Sequence, residues 1–268
     1  MNDINNDEIK SILHDISQNI IIPKYKNLDS KDIKFKNKNN KDLVTIVDVA
    51  VEKKLQKKLN LLLPNSLFVG EESFAKKPEI IEAYNEKQYC WTVDPIDGTT
   101  NFVKGKEKFA IMVALSFGEK ILQSWIYKPL TYEFSYAKLG DGAYINSKKT
   151  SINNLVDISE ATGSISSKYW EEKYVNKMKK IKFLFKEVKS FGCIAFEYVD
   201  IIKGNRDFAI LSKLSPWDHI AGILLVREAG GSDIHFDLTN YKHNIRKNNL
   251  IVANSIILQN RIMSLIEE

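Results

Sequence analysis

Asp94-Pro95-Ile96-Asp97-Gly98-Thr99-Thr100-Asn101-Phe102, reached through Tyr89-Cys90-Trp91-Thr92-Val93, holds two carboxylates three residues apart across a turn, with a glycine and two threonines directly after. The five residues that lead in are β-prone and apolar, so the carboxylates are expected to emerge from the end of a strand. Strand ends and the loops after them are where α/β proteins place ligands. Carboxylate oxygens held close together are hard donors, suited to Mg²⁺ and poorly suited to softer metals. The Gly98-Thr99-Thr100 that follows offers backbone N–H groups and hydroxyls, which a phosphate oxygen needs. Metal and phosphate together are the first expectation.

Two look-alikes fail on single positions. A calcium loop of the EF-hand kind needs an acid or amide at its third position, where this chain has Ile96. An aspartyl-phosphate phosphatase needs its nucleophile two residues before Asp97, where Pro95 has none to offer. A plain polar turn, with Asp for its side-chain bond and Gly for left-handed backbone, explains the stretch taken alone. Other acids weigh against that plain reading. Val69-Gly70-Glu71-Glu72-Ser73 follows another β-prone run, Ser66 to Val69. Asp42-Leu43-Val44-Thr45-Ile46-Val47-Asp48 leads into an amphipathic helix. Pro216-Trp217-Asp218 opens an apolar helix that closes with Glu228-Ala229-Gly230-Gly231.

These four segments, in this order, resemble the inositol monophosphatase family of metal-dependent sugar phosphatases, from about Asp42 to Asn254. The resemblance implies Mg²⁺, two or three ions. Glu71, Asp94 and the backbone carbonyl of Ile96 would hold the first, and Asp94, Asp97 and Asp218 the second. A third, weaker ion would share Glu71. Thr99, oriented by Asp48, would help deprotonate the attacking water, and Glu71 would count with these two among the catalytic residues. Backbone N–H groups of Gly98 and Thr99 would cradle the phosphate, next to Thr100. Gly192, Cys193, Ile194 and Ala195 would lie beside the substrate, with Asp97 and Asp218. Inhibition by Li⁺ and a homodimer are also implied.

The chemistry gives those roles a reason. Phosphate monoesters hydrolyse so slowly that enhancements of up to ~10²¹ are needed. Ester and hydroxide are both anions, and a metal pair about 3.5–4 Å apart offsets their repulsion. One departure bears on the substrate. Inositol-specific members carry a ring-binding glutamate seven residues before the Trp-Asp aspartate, and here that position is Leu211. Leucine accepts no hydrogen bond, so discrimination in favour of inositol is expected to be lost. The family's lysine near the first aspartate motif has three candidates, Lys36, Lys38 and Lys41.

Composition sets the outer limits. At 268 residues, 44% of them apolar, the chain can build a large core. Its N-terminus is polar and acidic, unlike a signal peptide, and no run approaches ~18 apolar residues, so no membrane span is expected. Cys90 and Cys193 both stand in apolar contexts and read as buried thiols of a reducing compartment, hence a cytoplasmic location. The net charge of +5 concentrates in residues 24–41 and 168–189. Such stretches could attract phosphorylated substrates or nucleic acid. The lysine-, asparagine- and isoleucine-rich usage throughout, and the lack of any stacked-aromatic module, favour solvated lysine faces over nucleic-acid binding.

Periodicity places the remaining elements. Ile9, Ile12, Leu13, Ile16, Ile20 and Ile21 make a helical stripe over residues 7–25, and a second helix runs from about Val49 to Leu63. A lysine- and asparagine-rich loop at 26–41 is the best candidate for mobility. Strands are expected at 109–115, 121–127, 132–137 and 142–145, then a helix at 169–180, a strand at 183–189, a helix at 193–203 and a strand at 207–212. Asp218 falls in the first turn of a helix from Pro216 to Gly230, where the dipole also favours an acid. A strand at 250–253 and a helix at 255–266 close the chain. His219 lies about 100° around its helix from Asp218 and reads as a packing residue.

The expected fold is a layered α-β-α-β-α sandwich. Residues 1–147 form an α+β half on a largely antiparallel sheet, and 148–268 an α/β half with a mixed sheet. The expected activity is Mg²⁺-dependent hydrolysis of a small phosphorylated substrate, a sugar or polyol phosphate. Fructose-1,6-bisphosphate, histidinol phosphate and 3′-phosphoadenosine-5′-phosphate are rival substrates. A protein that binds RNA or a transcription complex, its catalysis vestigial, is the rival of another class.

Overall fold

Residues 3–35, 43–152, 156–245 and 247–267 are described by the computed structural model. Asp42, Lys36, Lys38 and Lys41 lie outside them, as does part of the lysine-rich loop. Among the described residues no helix is long and apolar enough to cross a membrane.

The first helix, α1 (Asn6–Ile16), is capped by Asn5, whose Oδ1 accepts the Asp7 N–H at 2.8 Å. A π turn at 17–21 and a 3₁₀ turn around Pro23 continue it, so the isoleucine stripe stays on one face through Ile21. Short strands β1 (Ile33–Phe35) and β2 (Leu43–Thr45) pair antiparallel. Thr45 and Asp48 form a reciprocal capping box that starts α2 (Ile46–Leu62), which ends just ahead of Pro64.

The next elements are β3 (Leu67–Gly70), α3 (Glu71–Lys76), β4 (Tyr89–Asp97), α4 (Thr99–Val103), β5 (Ala110–Phe117), β6 (Lys120–Lys128), β7 (Glu133–Lys138), β8 (Gly142–Ile145) and β9 (Lys148–Thr150). The seven strands β3 to β9 lie side by side in chain order, and only β3 and β4 run parallel. The second half holds β10 (Thr162–Ile165), α5 (Glu172–Ile181), β11 (Glu187–Val188), α6 (Ile194–Ile202), β12 (Phe208–Leu211), α7 (Pro216–Glu228), β13 (Ser232–Ile234), β14 (Leu250–Ala253) and α8 (Ile256–Glu267). Its sheet has the mixed order β11-β10-β12-β14-β13.

Strand alternation builds the layers. Trp91, Val93, Ile111 and Val113 pack with α1 and α2, whereas Met112 and Ala114 pack with α6 and α7. Ala209, Leu211, Leu250 and Val252 meet that same helical layer from the second sheet, while Phe208, Ile210, Ile251 and Ala253 face α5 and α8. The result is the expected sandwich of helices, sheet, helices, sheet, helices. α7 is buried almost all round. At Gly222 a Cβ would fall 2.0 Å from the Tyr198 ring, so glycine lets α6 and α7 meet.

Some expectations need correction. Asp97 stands at the end of its strand as expected, but Asp94 lies inside it, because β4 runs on through Asp97. Its register against β5 shifts between Asp94 and Asp97, a bulge at Pro95, which has no N–H to pair. The strand expected at 183–189 shrinks to β11, and residues 182–184 form a 3₁₀ turn with Phe183 78% exposed. β10 carries too little apolar sequence to be seen. Its Gly163 is pressed so close to Phe208 of β12 that a Cβ would lie 2.3 Å from the Phe208 carbonyl.

Candidate active site

The bulge in β4 fixes the first two acids. Asp94 is buried opposite Met112, and its Oδ1 accepts the Ile96 N–H at 3.0 Å. Asp97 receives two donors from the start of α6: the Ala195 N–H at 2.6 Å and the Cys193 thiol at 2.9 Å, both on Oδ2. Burial pushes the Asp97 carboxyl up to about 6 against the pull of those donors. Gly98 then turns the chain with φ +87°. A side chain there would meet the Lys108 carbonyl at 2.9 Å and Cys193 at 3.1 Å.

Thr99 opens α4 with its hydroxyl 3.2 Å from Asp48 Oδ1 and 3.0 Å from the Ile96 carbonyl. The other Asp48 oxygen accepts from the Thr45 N–H at 2.7 Å, so the capping box of α2 also aims Asp48 at Thr99. Asn101 ties this turn to the loop before α6, its amide donating to the carbonyls of Lys108 (2.8 Å) and Phe191 (2.9 Å).

Glu71 is the first residue of α3 and follows Gly70, which has no side chain to cap the helix. Glu52 of α2 does the capping from a distance. Its buried carboxylate accepts the N–H groups of Glu72 (2.7 Å) and Ser73 (2.8 Å) and the Ser73 hydroxyl (2.5 Å). Burial nonetheless raises its pKa, those donors lower it, and the neighbouring Glu71 charge raises it. Asp218 stands in the first turn of α7 behind Pro216, and Trp217 anchors that turn against Phe74 with ring centres 4.9 Å apart.

These elements border two adjoining clefts. The first, of about 500 Å³, is lined by Glu71, Gly98, Thr99, Thr100, Gly192 and Asp218 among others. The second, of about 330 Å³, has Asp97, Cys193, Ile194 and Leu211 in its wall and shares Gly192, Lys213 and Asp218 with the first. Asp94 and Ile96, 2% and 1% exposed, and the fully buried Asp48 and Ala195 line neither cleft. Ala195 thus orients Asp97 through its N–H. His219 is a packing residue: its Nδ1 meets the Tyr198 hydroxyl at 2.9 Å, and burial pushes its pKa down to about 4. Both cysteines are buried and free.

Sequence reasoning passed over two acids. Glu52 had a visible signal, an acid one turn after Asp48 on a helix that is otherwise apolar on that face. Glu197 had none beyond being an acid in an apolar helix. It is 3% exposed and accepts from the Ser190 hydroxyl (2.8 Å), the Phe191 N–H (2.9 Å) and the Ser164 hydroxyl, holding the loop that carries Gly192.

A layered α/β protein with acids from several segments around two adjoining clefts defines the class, and comparison with known proteins identifies it. The inositol monophosphatase family model matches residues 7–268, and the chain belongs to that family. An inositol monophosphatase of Dictyostelium discoideum is 31% identical over 249 residues, covering 91% of this chain and 89% of that one. The Nus factor SuhB of Vibrio cholerae is 30% identical over 206 residues, 75% of each chain. A solved IMPase/NADP phosphatase, complexed with Mg²⁺ and phosphate, superposes with a TM-score of 0.81 at 22% identity, covering 97% of this chain and 93% of that one. This chain is a phosphoric monoester hydrolase.

Proposed function

We propose that the protein hydrolyses a small sugar or polyol phosphate with Mg²⁺ held by Glu71, Asp94, the Ile96 carbonyl, Asp97 and Asp218. Among the described residues no three acidic, histidine or cysteine side chains form a ready-made metal cage. The donor set is nonetheless all oxygen, carboxylates and one carbonyl, which suits a hard ion that keeps several waters and shares its shell with substrate phosphate. Bound there, two or three such ions supply charge neutralisation and an acidified water.

The chain's own residues do the rest. Backbone N–H groups of Gly98 and Thr99 receive phosphate oxygens at the turn that only glycine can make. The Thr99 hydroxyl passes a proton from the attacking water to Asp48 Oδ1, the nearest carboxylate oxygen on its far side. Asp48 stays an acceptor because Thr45 fixes its other oxygen. Trp217 and Pro216 hold Asp218 at the mouth of both clefts.

The observation that carries this reading is the Thr99 hydroxyl between Asp48 and the Ile96 carbonyl, on the rim shared with Glu71 and Asp218. The relatives named Nus factor SuhB are what supports the rival reading, a protein that binds RNA or a transcription complex. Buried acids held by hydrogen bonds (Asp48, Asp94 and Asp97), with half-buried Glu71 and Asp218 on the cleft wall, favour hydrolysis over that role. Phosphate release from a panel of monoesters, with Mg²⁺ and with chelator, tests the proposal. Asp94→Asn is expected to lose several orders of magnitude in rate. Retention of more than about a tenth of wild-type turnover leaves less than ~1.4 kcal/mol of barrier at stake and refutes the ligand assignment.

A further inference from the structure

Helix α5 packs on the outer face of the second sheet, and neither it nor the turn that follows lines either cleft of the candidate site. Its inner stripe is Met178 and Ile181, continued by Phe185, all buried. The outward side differs from an ordinary solvated face. Between Glu172 and Glu187 stand six lysines and no acid. Lys173 and Lys186 are held by Glu171 (3.2 Å) and Glu160 (2.8 Å). Exposed Lys179, Lys180 and Lys182 have no carboxylate partner among the described residues.

That basic face ends in an apolar tip. Residues 182–184 form a 3₁₀ turn that leaves Phe183 and Leu184 78% and 46% exposed, and Phe183 is the most exposed of the large apolar side chains described. Solvated lysines account for the charge but not for the tip. Folding gains nothing from a ring and a leucine side by side in water, and apolar groups rimmed by cations mark a surface that meets a partner. A lipid surface fits both halves of the patch. The ring and the leucine enter the boundary between headgroups and acyl chains, and the unpaired ammonium groups beside them meet anionic headgroups. Nucleic acid fits less well, because a base stacks on an open ring face. The Lys182 ammonium already stands 4.8 Å from the Phe183 ring centre, and Leu184 has no face to stack on.

We propose that α5 and its terminal turn dock the protein on an anionic membrane surface, with Phe183 and Leu184 inserted and Lys179, Lys180 and Lys182 against the headgroups. Docking of this kind needs no membrane-spanning helix. The test is cosedimentation of the full chain with vesicles of phosphatidylcholine alone and of an equal mixture of phosphatidylcholine and phosphatidylglycerol. Wild type is expected to sediment with the anionic vesicles, to stay in solution with the neutral ones, and to be released by salt. Phe183→Ser weakens partitioning about tenfold, and Lys179→Gln/Lys180→Gln/Lys182→Gln about a hundredfold. Lys53→Gln/Lys54→Gln/Lys57→Gln removes the same charge from exposed positions of α2 and leaves partitioning within about threefold. All these side chains are exposed, so the variants keep the fold, and a thermal melt beside each assay checks it. No binding of wild type to anionic vesicles overturns the proposal. So does binding that Phe183→Ser and the α5 triple variant both retain, or that the α2 triple variant loses equally. Retention of single-stranded RNA without vesicle binding at the same salt assigns the patch to nucleic acid and overturns the proposal as well.

Discussion

Glu52→Gln isolates the support of the candidate site from the site itself. The carboxylate has one oxygen on the Glu72 N–H at 2.7 Å and the other on the Ser73 N–H and hydroxyl at 2.8 and 2.5 Å. Glutamine keeps one acceptor and puts an NH₂ where the other was. Whichever way the amide turns, at least one N–H of the α3 first turn then faces a donor, and a buried donor left without a partner costs about 1–3 kcal/mol. For a chain of this size that lowers Tm by roughly 2–12 °C, at about 2–4 °C per kcal/mol. The first turn relieves the conflict by moving, and Glu71 is its first residue. Loss of a partner behind a metal ligand weakens metal affinity about 10–100-fold, so half-saturation by Mg²⁺ rises by that factor while saturated turnover falls less. Mg²⁺ titration of phosphate release beside a thermal melt reads both effects. A folded Glu52→Gln protein with wild-type Mg²⁺ half-saturation refutes the reasoning, because Glu71 would then need no such support.

Gly98→Ala has to leave φ +87° and clear the Lys108 carbonyl at 2.9 Å. Its strain of about 1–3 kcal/mol is expected to displace Thr99 and cut kcat by about a hundredfold; activity within threefold of wild type contradicts the assigned turn. His243 is buried against the Gly118 carbonyl and the Tyr84 ring, and burial pushes its pKa from 6.5 down to about 4. The unfolded chain then binds more protons between those values, so His243's contribution is complete above pH 6.5 and lost as pH falls toward 4. Between pH 7 and pH 5 it amounts to about 2 kcal/mol. His243→Gln should lose less stability over that interval, and equal losses in urea melts at both pH values count against it.

Much of the fold was legible because local chemistry and tertiary packing agree. Pro64 and Pro216 mark helix ends that the structure respects, and the isoleucine stripe of α1 faces the core as its spacing requires, whereas α2 starts at Ile46, three residues before the expected Val49, because Thr45 caps it. Strands 110–117 and 120–128 were legible as apolar runs either side of Gly118. β10 was not, because Thr162-Gly163-Ser164-Ile165 owes its place to close contact with Phe208 across the sheet, which no local pattern encodes. The site divided in the same way. Asp94, Asp97 and Asp218 carry their own motifs. Glu52 and Glu197 act only through backbone groups brought near by folding, and Cys193 and Ala195 support Asp97 through one thiol and one N–H.

Asp218 stands on α7, the helix that both sheets share, whereas Glu71 stands on six-residue α3 at the edge of the first sheet. These elements sit at opposite ends of the scale of local stability. Amides of a helix buried almost all round are expected to open at free energies near that of the whole molecule, and those of a short edge helix at far lower free energy. Rising denaturant therefore dismantles the acid set in order, Glu71 first and Asp218 last. Faster amide exchange in α3 than in α7 is the expected sign of that order.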